Sequence, residues 1–175
     1  MMLLLTRAWP LSNVWLGTSV EDQARADERI PILLQTPAAV RFISAEPLLE
    51  SVDLAAARYR LPTGGVGSAF NCGDGAPGLL WCIAGGESGP GSRRCDLAWI
   101  RSIVAQCKAA GVACFVKQIG ASPYVMKREP PFRSWRLEDG PDAYDNGPFY
   151  AMLRDRKGGD PSEWPKDLRV REWPA

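Results

Sequence analysis

Leu79-Leu80-Trp81-Cys82-Ile83-Ala84-Gly85-Gly86-Glu87-Ser88-Gly89 is the stretch that decides how this chain folds. Leu79 to Ala84 is a continuous apolar run with no polar alternation, the mark of a strand buried on both faces in a parallel sheet. Two glycines end it, and a carboxylate, Glu87, stands just beyond. Downstream, Asp96 caps a helix whose Leu97, Ile100, Val104 and Cys107 recur at near-helical spacing, and Gly111 supplies a left-handed stop. Val112 to Val116 is the next strand, ending in Lys117-Gln118. Upstream, Val40 to Ser44 is β-branched and aromatic and runs into Ala45-Glu46-Pro47, where proline ends ladder hydrogen bonding. Asn13 to Gly17 is a further short strand. Thr18 and Ser19 read as caps of a helix from about Val20 to Ile30, with Glu21 and Asp22 in its first turn. Pro31 closes that helix and opens a second short turn, Ile32 to Gln35.

Strands alternating with amphipathic helices imply an α/β fold with a parallel sheet and right-handed crossovers, either a barrel or a doubly wound layer. We expect a partial βα-barrel, a TIM-like half barrel, over residues 1–120. A glycine-rich insertion at about 62–78 reads as a poorly ordered loop. An irregular tail rich in proline and tryptophan, residues 121–175, is expected to pack on the domain.

The 175 residues suit one domain, and 46% apolar content is enough for a core. Twenty-one basic against 20 acidic side chains leave no global field for non-specific nucleic-acid or membrane binding. Met1 to Leu5 is too short an apolar run for a signal core or membrane span, so the expected location is cytoplasmic and no membrane partner is expected. The chain has five cysteines, Cys72, Cys82, Cys95, Cys107 and Cys114, in no close pair, and no histidine. No metal site is therefore expected, and Cys82, Cys107 and Cys114 read as small core hydrophobes.

Ligands of such folds bind at the carboxyl ends of the strands. Polar residues recur there: Ser19 and Glu21, Glu46, Glu87 with Ser88, and Lys117 with Gln118. The plain alternative is that these groups cap helices and solvate strand ends. Gly85-Gly86-Glu87-Ser88-Gly89 invites a phosphate-loop reading, with Arg93 and Arg94 nearby, but lacks the lysine and hydroxyl spacing of such loops, and a tight turn explains it as well. Arg154, Arg156, Lys157, Lys166, Arg169 and Arg171, interleaved with Tyr150, Trp164 and Trp173, hint at a nucleic-acid surface. Asp155, Asp160, Glu163, Asp167 and Glu172 dilute it.

The segments Asn13 to Gln23, Ala26 to Pro31, Pro37 to Leu49, Trp81 to Gly91, Phe115 to Gln118 and Asp155 to Pro174 resemble a phage-protein family named after its gp-thirty-seven and gp-sixty-eight members. That family resembles radical S-adenosylmethionine enzymes, whose amino-terminal part holds a [4Fe–4S] cluster on three closely spaced cysteines. The cysteines here are too scattered for that. The resemblance implies the carboxyl-terminal half of a longer enzyme acting on nucleotides or nucleic acid, with no cofactor held by this chain alone. S-adenosylmethionine and the cluster would belong to the full-length protein. Glu46, Glu87 and Lys117 would be its catalytic residues, and Ser19, Glu21, Gly85, Gly86 and Gln118 would bind the cofactor. The alternative is a non-catalytic binding or assembly module of phage origin. An unclosed barrel leaves an edge and a face to cover, by the missing amino-terminal half, by the tail, or by a homodimer through the Leu3 to Leu5 edge.

Overall fold

Apolar runs build the centre of the computed structural model, which describes residues 9–60, 64–71, 78–126, 134–135 and 148–174. In chain order the elements are β1 (Trp15–Ser19), α1 (Gln23–Gln35), β2 (Val40–Ala45), β3 (Arg58–Arg60), β4 (Val66–Ser68), β5 (Trp81–Gly85), β6 (Cys95–Asp96), α2 (Leu97–Ala110), β7 (Ala113–Gln118), β8 (Pro123–Val125), β9 (Ser134–Trp135) and β10 (Phe149–Ala151). Strands β1, β2, β5 and β7 lie side by side in that order, all parallel. The α/β class with a parallel sheet is thus observed, with four strands and two helices. None of the helices among the described residues is long and apolar enough to cross a membrane.

Side chains alternate across the sheet, and the two faces differ. One carries Ile43, Ala45, Cys82, Ala84, Cys114 and Val116, all buried together with Ala26, Ile30 and Leu33 of α1 and Leu97, Ile100, Ile103 and Cys107 of α2. Both helices lie on this side, because both grip one segment. The Gln23 amide of α1 donates to the Asp53 carbonyl at 3.1 Å and accepts from its N–H at 2.7 Å. The Gln106 amide of α2 donates to Val52 at 2.8 Å and accepts from Leu54 N–H at 2.8 Å. The register places Trp15, Gly17, Phe42, Trp81, Ile83 and Phe115 on the opposite face, with neither α1 nor α2 over them. The rings of Trp15, Phe42 and Phe115 meet Trp81 at centroid distances of 5.8, 5.7 and 6.2 Å. From the chain's end Trp173 stacks on Trp81 at 4.7 Å.

The carboxyl-terminal segment reaches that position by pairing with the outer edge of β7. Val116 N–H donates to the Val170 carbonyl at 2.9 Å, and Glu172 N–H to the Cys114 carbonyl at 2.8 Å. Phe115 and Arg171 form an antiparallel bridge. Trp164 and Leu168 are buried in the same core as the sheet and helices.

Several sequence expectations shift on contact with the structure. Ser19 ends β1 and does not cap α1, and Glu21 and Asp22 precede the helix. Asp22 is the cap, its carboxylate accepting from Arg25 N–H at 2.7 Å. Pro31 does not divide the helix, which runs through it to Gln35. One lost N–H and a crowded carbonyl at Asp27 are outweighed by burial of Ile30, Leu33 and Leu34 on a single face. In α2 the buried position is Ile103, while Val104 is only partly covered, since a helix packed flat on a sheet centres its stripe on Ile100, Ile103 and Cys107. Val66–Ser68, inside the expected loop, pairs antiparallel with β3. The rest of that loop, 62–63 and 72–77, and the Leu3 to Leu5 edge lie outside the described residues. Short strands also interrupt the tail: β8 pairs with β6 and with β10, and β10 with β9.

Candidate functional site

Parallel strands align their carboxyl ends, so residues that follow them meet on one rim. Glu46 follows β2, Glu87 lies two residues past β5, and Lys117 and Gln118 are the last residues of β7. The register shift between Ala84 and Gly85 sets Gln118 opposite Gly85. Lys117 Nζ sits 3.1 Å from Glu46 Oε2. The Gln118 amide donates to Glu46 Oε1 at 2.9 Å and to the Gly86 carbonyl at 3.0 Å. Both Glu46 oxygens are thus occupied, and its side chain is only 12% exposed, against 58% for Lys117. With Ser44, Pro47, Glu87 and Ser88 these groups line an open cleft of about 350 Å³.

Glu87 is engaged within its own loop. The Arg93 guanidinium grips its carboxylate at 2.8 and 2.9 Å, and Arg93 N–H adds a bond of 2.8 Å. These bonds hold its pKa down at about 2. Arg93 in turn is raised, by that bond first and also by the Glu21 carboxylate. Glu21 pairs with Arg29 at 3.1 Å, and Arg29 also donates to the Ser19 carbonyl at 3.0 Å. Alternating charges therefore run along the rim beside the cleft.

The structure brings Glu46, Glu87, Lys117, Gln118 and Gly86 to one cleft. Ser19 stands opposite Ser44 in the strand register but does not line it, and neither do Glu21 and Gly85. Both glycines have a packing reason. A Cβ at Gly85 would meet the Gln118 carbonyl at 2.9 Å, and one at Gly86 would meet the Ile119 carbonyl at 2.6 Å. Among the described residues no set of three His, Cys, Asp or Glu could hold a metal ion.

No curated protein and no solved structure matches this chain. The domain family DUF5131, described as a protein of unknown function, matches residues 1–148. The chain belongs to that family.

What this DUF5131 cleft can do follows from its free valences. Gln118 spends both N–H groups on Glu46 and Gly86, which leaves its carbonyl oxygen as an acceptor. Lys117 keeps ammonium protons beyond the one aimed at Glu46. Such a set recognises amino, hydroxyl or carboxylate groups. Sequence reasoning missed Ser44 as part of the rim and named Arg93 only as a cation near the glycine turn, not as the partner of Glu87. The signal for Ser44 was legible, a lone hydroxyl two residues from Phe42 and so on the same face. Arg93 is six residues from Glu87 in a loop without periodicity, and nothing local announces the pair.

Proposed function

We propose that this chain is the carboxyl-terminal half of a phage-type radical S-adenosylmethionine-like protein, a cytoplasmic enzyme acting on nucleotides or nucleic acid. In this reading the strand-end cleft contacts cofactor or substrate, and a preceding segment supplies the iron–sulfur cluster. The observation that carries it is the sidedness of the sheet. Among the described residues both helices cover the same face, and the other presents an aromatic wall with a polar carboxyl-terminal rim, as the inside of a βα half-barrel does.

The described residues do not fit a [4Fe–4S] cluster. Cluster iron needs converging thiolates, whereas Cys82, Cys107 and Cys114 are buried in the core. The bond to Cys114 lowers the Cys107 thiol, but the Cys82 thiol and burial together outweigh it and hold Cys107 above the usual range, and the Cys107 thiol and burial push Cys114 up likewise. No step is therefore routed through a cluster. The cleft does fit the polar groups of S-adenosylmethionine: Lys117 would face a carboxylate and the Gln118 carbonyl an amino group, with Glu46 holding both side chains in place. Bound there, the cofactor would supply an activated sulfonium centre, and this chain's residues would orient it. Titration calorimetry with S-adenosylmethionine tests the reading. Micromolar to millimolar binding that Lys117→Met abolishes is expected, and binding that is absent or indifferent to that change would sink it. Anaerobic expression with any upstream reading frame should also yield an iron–sulfur chromophore.

One observation favours a second reading, a binding or assembly module. Trp15 and Trp173 stand 42% and 61% exposed beside the Trp81 cluster, an aromatic surface suited to a partner chain. Sedimentation at micromolar concentration separates the two: a dimer without cofactor affinity supports the module.

A further inference from the structure

A second, larger cleft of about 830 Å³ opens between three chain segments: the loop after β5, the connection between β7 and β8, and the stretch from β10 to residue 157. Its size lies in the range of small-molecule sites, about 300 to 1,000 Å³. Among the described residues the charged lining is of one sign. Arg94, Arg156 and Lys157 face it with the hydroxyls of Ser92 and Ser122, and no described carboxylate lines it. In a chain of net charge +1 such local excess is not a by-product of composition.

Arg156 and Lys157 are held in place by a turn that does not neutralise them. Among the described residues neither Arg156 nor Lys157 pairs with a carboxylate. The adjacent Asp155 spends its oxygens on the N–H groups of Lys157 and Gly159, at 3.0 and 2.8 Å. That turn is tied to the end of β7, because Ile119 N–H donates to the Gly158 carbonyl at 2.9 Å and the buried Trp164 indole donates to it at 3.0 Å. Gly158 has φ +67° and backs onto the Gly120 carbonyl, where no Cβ fits. On the opposite wall the Arg94 guanidinium lies 4.9 Å above the Tyr150 ring. Ser92 and Ser122 bridge the remaining walls, their hydroxyls 3.1 Å apart. Met152 and Leu153 supply apolar lining.

We infer that this cleft is a binding site for a nucleoside phosphate, with the phosphate on Arg156 and Lys157 and the base against Arg94, Tyr150 and the apolar floor. Guanidinium and ammonium groups recognise phosphate oxygens through charge-assisted hydrogen bonds. A flat base stacks on an aromatic ring or a guanidinium plane. A free anion would leave most of the volume and the apolar lining unused. The inference does not depend on the strand-end cleft, which has different residues.

The test is calorimetric titration of the full chain at low salt with adenosine monophosphate, inorganic phosphate and a short single-stranded oligonucleotide in turn. Adenosine monophosphate should bind more tightly than inorganic phosphate, and the Arg156→Glu/Lys157→Glu double variant should lose at least about tenfold in affinity, the loss of one charge-assisted contact or more. Lys117→Met should leave this binding unchanged, which keeps the test separate from that of the strand-end site. If the oligonucleotide binds more tightly with the same dependence on Arg156 and Lys157, the phosphate belongs to a strand; if the mononucleotide does, to a free nucleotide. Equal affinity for inorganic phosphate and mononucleotide overturns the inference, as does binding indifferent to the double variant or no binding at millimolar ligand. Circular dichroism of the variant guards against misfolding, and Arg94→Gln, at an exposed side chain, gives an independent reading of the stacking wall.

Discussion

The two faces of the central sheet are built from the same strands, yet one is a core and the other a surface. On the helix side small and branched residues, Ile43, Ala45, Cys82, Ala84 and Val116, interlock with α1 and α2 at essentially no exposure. On the open side large rings take over, Phe42, Trp81 and Phe115 with Trp15 and Trp173 at the margin, packed edge to face, tilted or, for Trp173 on Trp81, stacked. Close packing against helices selects side chains that fit a neighbour's contour. A face with no helix above it is served by rings that bury one another.

The comparison fails most visibly if its first consequence does. Ile43→Ala removes branched carbons from the covered face and should cost about 3 kcal/mol by chemical denaturation, the transfer and cavity penalty of a close-packed site; a loss below about 1 kcal/mol would mean that the helices close over the gap. Gly17→Ala acts on the open face, where a Cβ would run into the Phe42 ring. About 2 kcal/mol is expected, with a change in tryptophan fluorescence as Phe42 leans on Trp81. No fluorescence change would show that the aromatic array is loose. Trp15→Ala, at the exposed margin, should cost no more than about 1 kcal/mol; a larger figure would make the open face a second core. Lys117→Met at the rim should cost less again, about 0.5 kcal/mol, because a mostly exposed ammonium is well screened, and should change ligand binding instead.

The smallest effect concerns Glu87. Its carboxyl titrates near 2 in the folded chain against an ordinary 4.5, so the Arg93 clasp is fully present above pH about 4.5 and is lost as pH falls through 2. Carbon-detected NMR titration of the Glu87 side chain checks this. A midpoint near 4.5 would show that Arg93 does not hold it in solution.

How much of this was legible in the sequence depends on the range of the interaction. Apolar runs and caps are local, so the strands around Ile43, Ile83 and Phe115 and the helix from Asp96 to Gly111 could be read directly, as could their parallel pairing. The identity of the α1 cap was not, because Ser19, Asp22 and Thr18 compete within a few residues and the outcome depends on where β1 releases the chain. Sidedness was not legible either. The run Leu79 to Ala84 satisfies a barrel and a doubly wound layer equally, and the placing of both helices on one face goes with Gln23 and Gln106 gripping one distant segment. Of the rim, Glu46, Glu87, Lys117 and Gln118 were readable because each follows an apolar run. The clasp of Arg93 and the turn that holds Arg156 and Lys157 belong to loops, whose geometry is fixed by partners far away in sequence.

The strip of chain from Val170 to Glu172 along β7 bears on how copies of this molecule could associate. Growth of a sheet into a fibre needs two open margins on each copy, one to receive a strand and one to offer the next site. Here the β7 margin is already occupied by the chain's own end, so among the described strands of the parallel sheet only the β1 side remains for templating. Association by strand addition to this sheet would then join two such sides and stop, giving a closed pair with no propagating end along it. Removal of the last few residues would restore the second margin and, with it, the capacity for unlimited polymerisation.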